Sequence, residues 1–181
     1  MPRTALIVID MLSSYDFEDA EKLVPAVQET LPQMRELVKR AIDADVLTIY
    51  VNDNYGDWHS NRDALLSRAL EGEHRDLVEP IAPNDEALFV VKARHSIFFQ
   101  TPLEYLLGQE EIERLVLTGQ VTEQCILYSA LDAYIRHLEV CVPRDAVASI
   151  HPHLAEAALE LMERNMSAEI CPASEVDFRA E

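Results

Sequence analysis

An acid, a cation and a thiol stand in equivalent places along this chain: Asp10, Lys92 and Cys125 each follow a run of apolar, strand-forming residues. A thiolate is a good nucleophile toward an acyl carbon, and a carboxylate beside it can take the thiol proton and return it to a leaving amine. Cys125 falls about one turn into a helix, where the positive dipole end favours a thiolate and free backbone amides can hold an oxyanion. Lys92, close to the sulfur, would lower its pKa further. Taken singly, each residue has a plain reading: Asp10 as a turn former, Lys92 as a solvated cation, Cys125 as a core residue. Their joint placement at three strand ends is what points to chemistry. Cys141 and Cys171 lie inside strand runs and read as small core residues.

The elements that must position these groups follow from hydrophobic periodicity. Ala5-Leu6-Ile7-Val8-Ile9 is a continuous apolar run, the pattern of a strand covered on both faces. Residues 22–44 have helical spacing, with Pro25 suited to a first turn and Pro32 marking a kink or a restart. Residues 46–51 and 87–91 give the second and third strands, with a helical stretch near 63–70 between them and a short helix around 102–108 after them. The fourth strand, 114–118, runs into Gly119-Gln120-Val121-Thr122 and the helix of Cys125; a fifth (138–142), a helix (153–165) and a short sixth strand (168–171) complete the chain. Such alternation predicts a single α/β domain over residues 1–181, a three-layer α/β/α sandwich with a six-stranded, mainly parallel sheet in Rossmann-like order 3-2-1-4-5-6. In these sheets ligands bind beyond the carboxyl ends of the strands, where strand order reverses. Asp10, Lys92 and Cys125 all fall on that rim.

Composition narrows the function. The 49% hydrophobic and 27% charged content is that of a globular domain, long enough to build a core without staples. Lys and Arg number 15 against 33 Asp and Glu, a net charge of −18, so nucleic acid and anionic membrane surfaces are disfavoured as partners. No apolar run approaches the ~20 residues of a membrane span. With four glycines, no G-x-G-x-x-G after the first strand and no phosphate-binding loop, a nucleotide enzyme is disfavoured as well. Three widely spaced cysteines without a C-x-x-C make neither a disulfide framework nor a zinc pattern. The N-terminal residues pass straight into a strand without a signal-peptide core, so a cytoplasmic location is expected.

Leu6-Ile7-Val8-Ile9-Asp10-Met11, Lys92 followed by Ser96 and Phe98, and Thr118-Gly119-Gln120-Val121-Thr122-Glu123-Gln124-Cys125 together resemble the isochorismatase-like cysteine hydrolases, over nearly the whole chain. The resemblance implies a catalytic triad of Asp10, Lys92 and Cys125, and a cis peptide in the segment Val121-Thr122 that turns backbone amides toward the substrate oxygen. It also implies homo-oligomers, commonly dimers or tetramers. Two features depart from the family pattern. Leu12 stands where many members carry Gln. Asp53-Asn54-Tyr55 stands where nicotinamidase-like members hold a metal through Asp-x-His, with His59 the only nearby histidine. No metal and no other cofactor is therefore expected.

The reading that follows is a cysteine-dependent hydrolase of a small amide, carbamoyl or ureido C–N bond, working through a thioester on Cys125. Its oxyanion would rest on the backbone amides of Thr122 and Cys125. Tyr15, Phe17, Trp58 and His95, in loops beyond the strand ends, are the expected pocket liners. The alternatives are an isochorismate-type enol-ether hydrolase, which would tolerate loss of Cys125, and a binding protein on the same fold with a vestigial triad.

Overall fold

The structure is a computed structural model and describes residues 3–178; the remaining residues of the expected 1–181 domain lie outside them. The central strand is the first one, β1 (Thr4–Ile9). It is followed by α1 (Ala20–Asp43), β2 (Leu47–Asp53), α2 (Arg62–Glu71), α3 (Arg75–Val78) and β3 (Leu88–Lys92). The second half comprises α4 (Leu103–Gln109), β4 (Arg114–Gln120), α5 (Leu127–Ile135), β5 (Glu139–Pro143), β6 (Val147–Ala148), α6 (Pro152–Met166) and β7 (Glu169–Cys171). The strands lie in the order β3-β2-β1-β4-β5-β7, every pair parallel, with β6 beside β4. No helix among the described residues is long and apolar enough to cross a membrane.

Side-chain alternation explains the layers. Along β1, Leu6 and Val8 enter one core with α1, α2 and α3, while Ala5, Ile7 and Ile9 enter the other with α4, α5 and α6. A strand that must be apolar on both faces reads as an unbroken hydrophobic run. The sandwich is thus the expected one, with one correction: the sheet has seven strands rather than six. The addition is β6, which pairs with Gly119 and Gln120 where β4 outruns β5, whose own pairing covers residues 114–116 of β4. Two residues are too few to leave a periodic signal.

Helix α1 runs unbroken through Pro25 and Pro32, so of the two readings of Pro32 the restart is excluded. Both prolines face solvent, so the backbone carbonyls they leave unpaired are open to water. The buried stripe Leu23, Val27, Leu31, Met34, Leu37 and Ala41 holds the helix to the sheet. Arg40 near its C-terminal end donates to the carbonyls of Ala173 (2.7 Å) and Val176 and lies over the Phe178 ring.

Gly119 brings β4 unusually close to β1. Its φ is +116°, and a Cβ there would stand 2.1 Å from the Ile9 carbonyl oxygen. Ile9 is clamped between β2 and β4 and cannot retreat. Gly119→Ala is therefore expected to cost at least ~3 kcal/mol of unfolding free energy. Urea unfolding followed by circular dichroism measures it, and a change below ~1 kcal/mol would contradict this account.

Candidate active site

The register of the sheet brings four strand ends together. Asp53 and Lys92 are the last residues of β2 and β3 and pair with one another, while Ile9 pairs with both Val51 and Gly119. Asp10, one residue past Ile9, takes a left-handed conformation (φ 57°). Its N–H donates to the Val51 carbonyl (3.0 Å), and its own carbonyl accepts from the Gln120 side-chain amide (2.6 Å). Its Oδ1 accepts the Asp53 N–H (2.7 Å). Backbone and one oxygen thus fixed, Asp10 presents Oδ2 to Lys92.

Lys92 is the centre of the site. Its ammonium has three donors and three partners: Asp10 Oδ2 at 2.9 Å, Asp53 Oδ2 at 3.1 Å and Cys125 Sγ at 3.6 Å. The Lys92 side chain is wholly buried. The lysine side chain is long enough to reach from β3 past β2 to the end of β1. Asp10 and Cys125 also share a side-chain hydrogen bond. The three residues expected from the sequence are therefore in mutual contact, and the structure adds Asp53 to them.

The charges in this cluster act in a definite direction. Burial alone would lower the Lys92 pKa, but Asp10 and Asp53 beside it outweigh that and keep the ammonium charged. Burial raises the Asp10 pKa against the opposing pull of Lys92 and of hydrogen bonds from Cys125, Lys92 and Asp53. Burial also pushes the Cys125 thiol up, and Asp10 pushes it further; Lys92 offsets only part of this. Against the expectation that Lys92 and a helix dipole would give a low-pKa thiolate, burial first and Asp10 next raise the thiol pKa and so favour the protonated sulfur.

Cys125 sits in a wide π-type turn, Thr122–Ile126, that precedes α5. The Val121 carbonyl accepts N–H groups from Gln124 (3.0 Å) and Ile126 (3.2 Å), three and five residues on, a pattern that steps over Cys125. The turn is anchored at both flanks. Thr122 Oγ1 donates to the Ala148 carbonyl (3.0 Å), and buried Glu123 accepts the N–H groups of Ile150 (3.1 Å) and His151 (2.7 Å) ahead of α6. The cis peptide is Gln120-Val121, one bond earlier than the expected Val121-Thr122. It coincides with the end of β4, where Gln120 is still paired with Ala148 and the chain must leave the sheet.

The expected pocket residues divide into two groups. His95 Nδ1 lies 4.0 Å from the Cys125 sulfur, with its ring against Tyr128. Tyr15 is buried, and its hydroxyl meets the Gln120 side-chain oxygen at 3.3 Å, so it supports the residue that holds Asp10. Phe17 and Trp58, by contrast, are 43% and 81% exposed and do not join the buried cluster. Beyond Asp53, sequence reasoning missed three contributors. Gln120 carries no signal of its own. Asn52 clamps the loop after β1 through both the N–H and the carbonyl of Leu12 (2.9 and 3.2 Å). Tyr55, although 39% exposed as a residue, turns its hydroxyl inward to Ser13 and Asn52, and desolvation of that group, with Asp10 nearby, pushes its pKa well up.

The strand-two segment does not fit a catalytic metal. Asp53 Oδ2 is taken by Lys92 and its Oδ1 by the Tyr55 N–H (2.9 Å), while the His59 side chain is fully exposed beside Asp57. A cleft of about 580 Å³ lies at the opposite end of the sheet, among Val38, Ile42, Leu47 and Leu88, and holds none of these groups.

Comparison with known proteins agrees with this geometry. The isochorismatase domain model matches residues 4–175. An isochorismatase family protein of Bacillus subtilis is 30% identical over 172 residues, covering 95% of each chain. Maleamate amidohydrolase of Pseudomonas putida is 27% identical, with 87% of this chain and 78% of that protein covered. The crystal structure of a nicotinamidase from Staphylococcus aureus superposes with a TM-score of 0.72 at 26% identity, covering 94% of this chain and 99% of that one. With a family model spanning almost its full length and a buried acid–lysine–thiol cluster at the switch point of its sheet, the chain belongs to the isochorismatase family of hydrolases.

Proposed function

We propose that the chain hydrolyses a small amide, carbamoyl or ureido C–N bond through a thioester on Cys125. The observation that carries this reading is the Lys92 ammonium in contact with Asp10, Asp53 and the Cys125 sulfur at once. The naming of one relative as an amidohydrolase and of another as a nicotinamidase supports the bond type.

In the first half-reaction Asp10 takes the thiol proton as Sγ bonds to the substrate carbonyl carbon. The carbonyl electron pair moves onto oxygen, and the oxyanion rests on backbone amides of the 121–125 segment, Thr122 and Cys125 among them. As the C–N bond breaks, Asp10 returns the proton to nitrogen and ammonia or an amine leaves. In the second half, Asp10 takes a proton from water, hydroxide adds to the thioester, and the C–S bond breaks with the proton returned to sulfur. Because the thiol is protonated at rest, deprotonation belongs to the attack itself. Lys92 stays charged throughout, steadying the thiolate and orienting Asp10. His95, close to the sulfur, donates a hydrogen bond to the substrate.

Cys125→Ala is expected to lose at least ~10³-fold in turnover of small amides while circular dichroism stays unchanged. Intact-mass trapping of the wild-type acyl-enzyme should show the adduct on Cys125. A variant that keeps most of its activity would move the chemistry to enol-ether hydrolysis.

The pH profile gives a second test. Asp10 must be ionised to accept the proton, and burial raises its pKa. The acid limb of kcat/KM should therefore lie above the ~3.9 of a free aspartate. A limb at or below that value would contradict the role of Asp10.

The assembly proposed is a homo-oligomer with two-fold symmetry. Helix α5 leaves Tyr128, Leu131, Tyr134 and Ile135 exposed, and α4, joined to it by Arg136 and Glu104 (2.7 Å), adds exposed Tyr105. Light scattering at micromolar concentration should give at least twice the 20.5 kDa chain mass. A fully active monomer would overturn it.

A further inference from the structure

Cys141 and Cys171 take no part in the chemistry above, yet the fold brings them together. They lie on the neighbouring parallel strands β5 and β7, on the same face of the sheet, with their sulfurs 3.7 Å apart. Glu169 pairs in register with Cys141 and is two residues from Cys171, so its side chain shares that face. One carboxylate oxygen and both sulfurs lie within 4.8 Å of one another, the group of three metal-ligating side chains found among the described residues.

We propose that Cys141, Cys171 and Glu169 form a binding site for a thiophilic divalent cation, with Zn²⁺ as its ligand. Two thiolates on a tetrahedral zinc, each ~2.3 Å from the ion, stand ~3.8 Å apart. The observed sulfur separation already matches that edge, so the ion requires no movement of either strand. Glu169 supplies the third ligand and water the fourth. Charge balances as well: two thiolates and a carboxylate oppose the divalent ion and the Arg114 guanidinium, which binds Glu169 Oε2 at 2.8 Å. Arg114 thereby orients the carboxylate and leaves the other oxygen to the metal, the arrangement that outer partners of metal ligands supply. Access is from the sheet edge: Glu169 is half exposed, Cys171 lies just beneath it and Cys141 is fully buried. On binding, the ion displaces one proton from each thiol. The site clips the edge strand β7 to β5, far along the sheet from the Lys92 cluster, and so acts on the fold and not on turnover.

The test uses the full chain carrying Cys125→Ala, which removes the competing thiol. Titration with Cd²⁺ should develop thiolate-to-cadmium charge-transfer absorption that saturates at one equivalent, Zn²⁺ should displace it, and Zn²⁺ should raise the thermal midpoint. Adding Cys141→Ala and Cys171→Ala should abolish both signals. Glu169→Gln, at an exposed position where folding is secure, should weaken Cd²⁺ binding at least ~10-fold. Absence of the absorption, its survival in the double cysteine variant, or unweakened binding by Glu169→Gln would overturn the assignment.

Discussion

The buried ammonium of Lys92 is the constraint around which the site is arranged. Removing such an ion from water costs several kcal/mol even after the protein relaxes, and only close partners offset it. Lys92 meets that requirement with all three of its donors engaged. Asp53 is needed for this as much as Asp10. Burial is the main influence that raises the Cys125 thiol pKa, Asp10 adds to it, and Lys92 offsets part of it, with Asp53 a lesser contributor.

Such a cluster demands a rigid frame, and the parallel sheet supplies one. Asp10 is fixed by its own backbone N–H and carbonyl and by one side-chain oxygen, each bonded to a different neighbouring segment. The close approach of Gly119 to Ile9 draws β4 toward β1 and so sets how far the Cys125 turn stands from Asp10. Glu123 and Thr122 then tie that turn to residues 148–151. Asp10 and the Cys125 turn are both held through main-chain contacts.

Much of this was legible in the sequence, because the signals were strong and local. Double-faced strands announce themselves as unbroken apolar runs, and strand-end Asp10 and Lys92 and the helix-leading Cys125 follow from them. What escaped depends on longer-range geometry. Asp53 closes β2 as Asp10 closes β1, but its pairing with Lys92 requires knowing that β2 lies between β1 and β3. Gln120 and Tyr55 act through side chains whose direction the spacing does not encode. The raised pKa of Cys125 is chiefly an effect of burial, which the order of charged residues along the chain does not encode. The continuity of α1 through two prolines depended on which face they occupy, and the meeting of the Cys141 and Cys171 sulfurs on β5 and β7 lying side by side.

The position of β1 has a consequence for how the molecule is made. Of the strands of this sheet, β1 is synthesised first, and it is an inner one, flanked by β2 and by β4, the latter beginning at Arg114. Between the synthesis of β2 and that of β4, one edge of β1 has no partner, although every residue from Ala5 to Ile9 is apolar. An uncovered apolar edge is a template for wrong pairing between chains. At ~5–20 residues per second, the ~60 residues from the end of β2 to the start of β4 leave that edge open for several seconds. A nascent chain of this fold therefore keeps one edge of β1 open until just before the segment bearing Cys125 emerges.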